Sequence, residues 1–287
     1  MQTPAIIGLS AQMNAFSHRH RSQGKTIGFV PTMGALHEGH LSLVKAANAS
    51  CDVVIVSIFV NPSQFNDPKD FERYPRTVEK DVKLLGEIGC DVVFVPERVE
   101  EIYPETYVPF TIDLGNLANV MEGKHRPGHF NGVVNVVSRL FEITEPTHAF
   151  FGLKDYQQFL VVDKLIKTRQ FPIELIGLPT SRTATGLARS SRNQLLNPIE
   201  LHQALGLYNM LGKAREQFGK TDVELIKGQV NDFFNSHPEF ELEYFELSQG
   251  TDLIPITGLG TEAEKPMAFV AARLGKIRLI DNIFLKD

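Results

Sequence analysis

The chain has 287 residues, 43% of them hydrophobic and 22% charged, with a formal net charge of -5 at pH 7. That length buries a substantial core without disulfides or a structural metal, and the negative balance excludes a general nucleic-acid or membrane-surface binder, which needs a positive field. The two cysteines, Cys51 and Cys90, lack metal-ligand spacing and suit a reducing compartment. Residues 1–10 hold no cationic region followed by a long apolar stretch, and the longest apolar run, 53–60, is too short to cross a bilayer. A soluble, cytoplasmic protein is expected.

In chain order, the apolar, β-branched runs 26–30, 53–60, 92–95, 149–151 and 173–176 predict buried parallel strands. Helical spacing fills the intervals at 41–49, 78–88, 133–143 and 157–167. Strand then helix, repeated, is the pattern of a parallel α/β sheet. After Gly177 the texture changes: 178–197 is polar and loop-like, with helical stretches at 198–218 and 223–235 and strand-like runs at 241–247, 267–273 and 276–280. The expectation is an α/β protein with a parallel-sheet domain over residues 1–180 and a smaller C-terminal α+β domain over 181–287.

In an open parallel sheet, ligands bind at the carboxyl ends of the strands, and four loops placed there carry chemistry. The first reads Pro31-Thr-Met-Gly-Ala-Leu-His-Glu-Gly-His40. Its glycines admit a ligand close to the backbone, the amides and dipole of the following helix start favour a phosphate chain, and His37 and His40, three apart, share one face of the first turn. A zinc protease is excluded, because that motif needs His-Glu-x-x-His on an established helix. A phosphate loop of the Walker type is excluded too: Gly24-Lys25-Thr26 precedes its strand, and Arg19 stands where the leading glycine belongs.

The second loop offers Asn61 and Gln64, neutral donors and acceptors suited to the hydroxyls and carboxylate of a small polar substrate. The third, Gly152-Leu-Lys-Asp-Tyr-Gln-Gln158, sets Lys154 at a helix start, which is unfavourable unless a phosphate binds there. Asp155 stands in a capping position and Gln158 lies one turn on. The fourth, Ala188-Arg-Ser-Ser-Arg-Asn193, gathers two hydroxyls and two guanidiniums into an anion-binding set, and Arg126 adds a cation from another loop. The residues describe a nucleotide-triphosphate cleft beside a pocket of amides, and leave nucleotidyl and phosphoryl transfer both open.

Residues 31–40, Ser57-Ile-Phe-Val-Asn-Pro-Ser-Gln-Phe65, Lys154-Asp-Tyr-Gln-Gln158 and Ser190-Ser-Arg-Asn193 resemble, in order, the motifs of the pantothenate synthetases, a family of the HIGH-motif nucleotidyltransferase superfamily. The resemblance implies that the carboxylate of pantoate attacks the α-phosphorus of magnesium-ATP, that pyrophosphate leaves, and that the amine of β-alanine then attacks the pantoyl adenylate. It implies a catalytic role for His40, with His37 and Lys154 beside it at the phosphates. The implied ATP site is Met33, Gly34, Ala35, Leu36, His37, Glu38, Gly39 and His40, with Gly152, Leu153, Lys154 and Asp155, and from the second domain Ser181, Arg189, Ser190, Ser191 and Arg192. Gln64 and Gln158 would hold pantoate, Gln64 also lying near β-alanine, with Arg126 among the substrate contacts. A Rossmann-like first domain, a mobile second domain that closes the cleft, a homodimer, and magnesium accompanying ATP complete what the resemblance implies; no metal-ligating residue is assigned.

The sequence departs from the family at Arg189, where methionine is usual, at Ser181, where valine is usual, and at Thr183 and Thr185, where acidic residues are usual. Arg189 is expected to turn outward to solvent, because Arg192 already supplies a guanidinium and a second would crowd the magnesium. Another nucleotidyltransferase acting on a phosphorylated substrate is the competing enzyme, but its second phosphate would call for cations where Gln64 and Gln158 stand. A nucleotide sensor without catalysis has no use for transition-state charge stabilisation.

Overall fold

Val53, Val54, Ile55, Val56 and Ile58 follow one another in a strand buried on both faces, as a parallel sheet covered by helices requires. This strand belongs to the first of two compact units in a computed structural model that describes residues 3–66 and 68–286. Met1–Leu114, Arg126–Leu153 and Val161–Pro179 make the first unit; Gly115–His125, Lys154–Leu160 and Thr180–Asp287 make the second.

In the first unit, β1 (Ala5–Ile7), β2 (Ile27–Thr32), β3 (Val53–Ile58), β4 (Val92–Phe94), β5 (His148–Gly152) and β6 (Glu174–Leu178) form one sheet in the order β1-β4-β3-β2-β5-β6. Every neighbouring pair is parallel, and β2 matches β3 along its whole length, from Ile27 opposite Val53 to Thr32 opposite Ile58. The chain steps from β2 to β3 on one side and later returns to β5 on the other. The direction of travel reverses at β2, which is where such sheets open a crevice for ligands.

Helices α1 (Ser10–Ser22) and α2 (Glu38–Ser50) flank β2 in sequence, and longer connections carry helices Val78–Glu87 and His129–Thr144. Leu41, Val44 and Ala47 of α2 lie on its buried stripe, where Val44 joins Val30, Val54, Val56, Leu85, Val93 and Phe150 in one core. Each expected strand of this unit lies within two residues of an observed one. Unforeseen were β1, only three residues long with Ala5 and Ile6 exposed, and α1, where only Met13 and Ser17 are buried. Neither carries enough apolar periodicity to announce itself.

The second unit is antiparallel: β7 (Phe240–Gln249), β8 (Pro266–Leu274) and β9 (Ile277–Phe284) lie in that order. Helices Leu205–Gln217 and Val223–Asn235 supply Leu207, Met210, Leu211, Ile226, Val230 and Phe234 to a core completed by Leu247, Val270 and Leu274. The expected fold, a Rossmann-like parallel sheet with a smaller α+β unit, is the one observed. The single helix expected over 198–218 is two, Pro198–Gln203 and Leu205–Gln217, meeting at Ala204.

Two short segments from the first 180 residues pack with the second unit, which one cut in the chain does not anticipate. Gln157 explains part of this. Its buried amide donates to Leu117 O at 2.7 Å and Val120 O at 3.0 Å, and accepts from Glu122 N at 3.0 Å. Among the described residues, no helix is long and apolar enough to cross a membrane.

Candidate active site

The turn after β2 is fixed before any ligand arrives. Gly34 has φ +80°, which favours glycine, and a Cβ there would sit tightly, 3.0 Å from Ile58 Cγ2 and 3.2 Å from Asp81 Oδ2. Ala35 also has positive φ, 51°. It is held there by Asp81, whose carboxylate accepts from Ala35 N and Leu36 N, both at 2.9 Å, and from Thr77 Oγ1 at 3.1 Å. Asp81 sits in the first turn of helix Val78–Glu87 and is 1% exposed. The helix dipole and three donors stabilise its charge in the core.

At the start of α2 two histidines cap each other's turn. Gly39 N donates to His37 Nδ1 at 3.1 Å, and His37 N lies 3.4 Å from His40 Nδ1. Backbone amides can only donate, so each Nδ1 is an acceptor and each neutral ring carries its proton on Nε2. The rings lie 4.1 Å apart, tilted by 33°, and both residues are half-buried. The sequence places two imidazole donors at this helix start, and the capping geometry selects the donating nitrogen.

Five amides of this turn and helix start are engaged within the protein. Gly34 N donates to Thr32 Oγ1 at 3.1 Å, Ala35 and Leu36 serve Asp81, and His37 and Gly39 serve the two rings. Ala35 and Leu36, with their neighbour Gly34, are buried, Met33 and Gly39 are half-buried, and Glu38 is exposed.

The Gln64 loop is clasped from the start of helix His129–Thr144. Gln64 O accepts from Arg126 Nη2 at 3.1 Å and from His129 Nδ1 at 2.9 Å, and Arg126 Nη1 lies 3.1 Å from His129 Nε2. A carbonyl only accepts, so His129 carries its proton on Nδ1 and presents Nε2 as acceptor to the guanidinium. Gly132 packs so closely that a Cβ would stand 2.4 Å from Ser63 O. Asn61, grouped with Gln64 at the sequence level, turns inward: it is fully buried, its Oδ1 accepts from Ser63 Oγ at 3.1 Å and Tyr103 Oη at 3.2 Å, and burial pushes the Tyr103 hydroxyl up to about 12. Asn61 is scaffold, and Gln64 is the half-buried amide of the pair.

In the second unit, Lys154 lies in the short turn Leu153–Asp155 that follows β5, two residues after Gly152. Its side chain is mostly covered, with Nζ 3.7 Å from Asp155 Oδ1. Gln157 is spent on the backbone of 117–122, whereas Gln158 is half-buried. Residues 181–189 form a small hairpin: Arg182 bridges Ala188, and Arg189 N donates to Ser181 O at 2.9 Å. Ser190 Oγ then accepts from Arg192 N at 3.3 Å and caps the turn Ser191–Leu195. Arg189 does not turn outward. It is half-buried, and its Nε donates to Arg182 O at 3.3 Å, because the hairpin brings that carbonyl alongside.

Residues 5–284 match the model of the family described as pantoate-beta-alanine ligase. The chain belongs to that family. It is 44% identical over 284 residues to the pantothenate synthetase of Porphyromonas gingivalis W83, spanning 98% of this chain and 99% of that protein. With the pantothenate synthetase of Geobacillus sp. WCH70 it shares 45% over 275 residues, 95% and 96% of the two chains. The crystal structure of pantothenate synthetase from Thermus thermophilus superposes with a TM-score of 0.91 at 39% identity, covering 99% and 100%. That of the pantoate-beta-alanine ligase of Francisella tularensis, complexed with beta-gamma ATP and beta-alanine, gives 0.81 at 35%, covering 99% and 98%.

Sequence reasoning missed Asp81, His129 and the anchors of Lys154. Asp81 left a signal. It falls with Val78, Val82 and Leu85 on one helical stripe, where an acidic residue among apolar ones points inward. Replacing it tests its hold on the turn. Asp81→Asn keeps one acceptor but sets an NH2 group against a backbone N–H, which costs about 2–3 kcal/mol of stability, the range for a charge-assisted hydrogen bond lost in the core. Urea unfolding of the variant checks this, and a change under about 0.5 kcal/mol would show that the turn holds its shape without Asp81.

Proposed function

We propose that this chain condenses (R)-pantoate with β-alanine at the expense of ATP, giving pantothenate, AMP and pyrophosphate through a pantoyl adenylate. The observation that carries the reading is the reciprocal capping of α2 by His37 and His40, in a chain matching the pantoate–β-alanine ligase family over residues 5–284. The beta-gamma ATP and beta-alanine in complex with the Francisella tularensis enzyme support the choice of two substrates.

In the first step a pantoate carboxylate oxygen bonds to the α-phosphorus as the bond to pyrophosphate breaks. In the second, the β-alanine nitrogen bonds to the carbonyl carbon, AMP leaves with its oxygen, and the nitrogen loses a proton. No protein nucleophile takes part, so the protein contributes placement and electrostatics. His37 and His40 donate through Nε2 to phosphate oxygens, Lys154 adds a point charge, and Ser190, Ser191 and Arg192 supply further donors. Met33 to His40, Gly152, Leu153, Asp155, Ser181 and Arg189 complete the ATP contacts, and Gln64, Gln158 and Arg126 serve the substrates. In this reading Arg126 acts partly through its clasp on Gln64.

Magnesium would enter with ATP and would offset phosphate charge, with Lys154, His37 and His40 as the protein donors to the same phosphates. Among the described residues no three His, Cys, Asp or Glu side chains gather as a metal-holding group, and no resident site is assigned. The proposal extends to a cytoplasmic homodimer, and sedimentation at twice the chain mass checks the dimer. Incubation of purified protein with ATP, magnesium, pantoate and β-alanine, followed by mass spectrometry, tests the function. Equimolar pantothenate and AMP are expected; ADP in place of AMP would overturn the chemistry.

A further inference from the structure

Lys154 stands in a three-residue turn with no long element of its own to hold it. Its carbonyl accepts from Asn282 Nδ2 at 2.7 Å. Asn282 lies on β9, is 5% exposed, and is itself set from several sides. It pairs with Phe269 in the β8–β9 register, its N–H meets Asp281 Oδ1 at 2.7 Å, and its carbonyl accepts from Arg182 Nη2 at 2.9 Å.

Arg182 is gripped in turn. Its Nη1 and Nη2 meet Asp281 Oδ2 and Oδ1 at 2.6 and 2.9 Å, Nη1 also donates to Gly186 O at 3.0 Å, and its guanidinium lies 4.5 Å over the Tyr208 ring. Arg182 roots the hairpin that leads into Ser190–Arg192. Two adjacent residues of β9 therefore tie down two separate segments, one bearing Lys154 and the other the serines and arginine.

We propose that Asn282 is a positioning residue for adenylation, holding the main chain at Lys154 so that the lysine ammonium meets charge developing on the phosphorus. The proposal rests on the reading of Lys154 as a phosphate contact. A lysine is a point charge on a flexible stem, so its placement is only as good as that of its backbone. ATP in its ground state is held by many contacts and tolerates a small shift of one. The transition state does not, because misplacing a charge-stabilising group by about an ångström can cost as much as 10²-fold in rate. Loss of the Asn282 amide therefore appears in kcat rather than in KM. A merely structural Asn282, satisfying a buried carbonyl, would lower stability and leave turnover of the folded fraction unchanged.

Pantoate-dependent ATP–pyrophosphate exchange on the full chain separates the two, measured for wild type, Asn282→Ala, Lys154→Ala and the double variant, with melting temperatures on the same samples. Asn282→Ala is expected to lower kcat about 10- to 30-fold, with the KM for ATP within about threefold. In the Lys154→Ala background the same change is expected to cost less than about twofold, since Asn282 acts through Lys154. A wild-type kcat in folded Asn282→Ala, or an equal loss in both backgrounds, would overturn the proposal. Should Asn282→Ala not fold, Asn282→Asp, isosteric but without the donated hydrogen, takes the same test. No exchange in wild type would instead overturn the activity reading, and this proposal with it.

Discussion

His40→Ala and Lys154→Ala each slow single-turnover formation of pantoyl adenylate by about 10²–10³-fold, the loss seen when one preorganised donor aimed at developing charge is removed. On the proposed reading, charge builds on the phosphorus oxygens as the carboxylate enters and pyrophosphate departs, and each side chain is a donor to that charge. The folded chain survives both changes. The contact by which His40 closes the cap of α2 is long, 3.4 Å, and losing a capping interaction costs about 1 kcal/mol. Lys154 pairs with Asp155 only at 3.7 Å. Rapid quench at saturating ATP and pantoate measures the step. A near-wild-type rate in either variant would remove that residue from the mechanism, and a collapse in melting temperature would assign it to the fold instead.

Glu122→Ala destabilises the chain by about 3 kcal/mol, at the lower end of the range for breaking a buried ion pair. Glu122 is 7% exposed, and its carboxylate takes Arg278 Nη1 and Nη2 at 2.8 and 2.7 Å and the Tyr244 hydroxyl at 2.7 Å. Arg278 Nε also donates to Glu243 Oε2 at 2.8 Å, so the guanidinium keeps one counter-ion in the variant, which holds the loss to that lower end. Burial and then Glu122 push the Tyr244 hydroxyl well up, so it stays protonated and donates. Alanine leaves two guanidinium hydrogens and that hydroxyl unsatisfied, and urea unfolding at neutral pH reads the result. A shift below about 0.5 kcal/mol would show that the network contributes nothing net.

What the sequence reveals and conceals follows the range of the interactions. Strands β2 to β6 are continuous apolar runs and helix His129–Thr144 is buried on nearly every side, so local composition announces them. The loops at strand ends carry their chemistry in adjacent residues, and the pairing of His37 with His40 is legible for the same reason. Asp81 acts on Ala35 and Leu36 across 46 and 45 positions, Glu122 on Arg278 across 156, and Asn282 on Lys154 across 128. No local pattern encodes such partners, and an aspartate-asparagine pair in a strand reads only as polar residues at a sheet edge. The outward turn expected of Arg189 fails similarly, because the hairpin that offers it Arg182 O is held by Asp281 from the far end of the chain.

ATP–pyrophosphate exchange with pantoate as the sole second substrate bears most directly on the adenylate mechanism. In magnesium buffer without β-alanine, labelled pyrophosphate should enter ATP at a rate that depends on pantoate, and AMP and pantothenate should appear only once β-alanine is added. Exchange that requires β-alanine, or that proceeds without pantoate, would contradict the account.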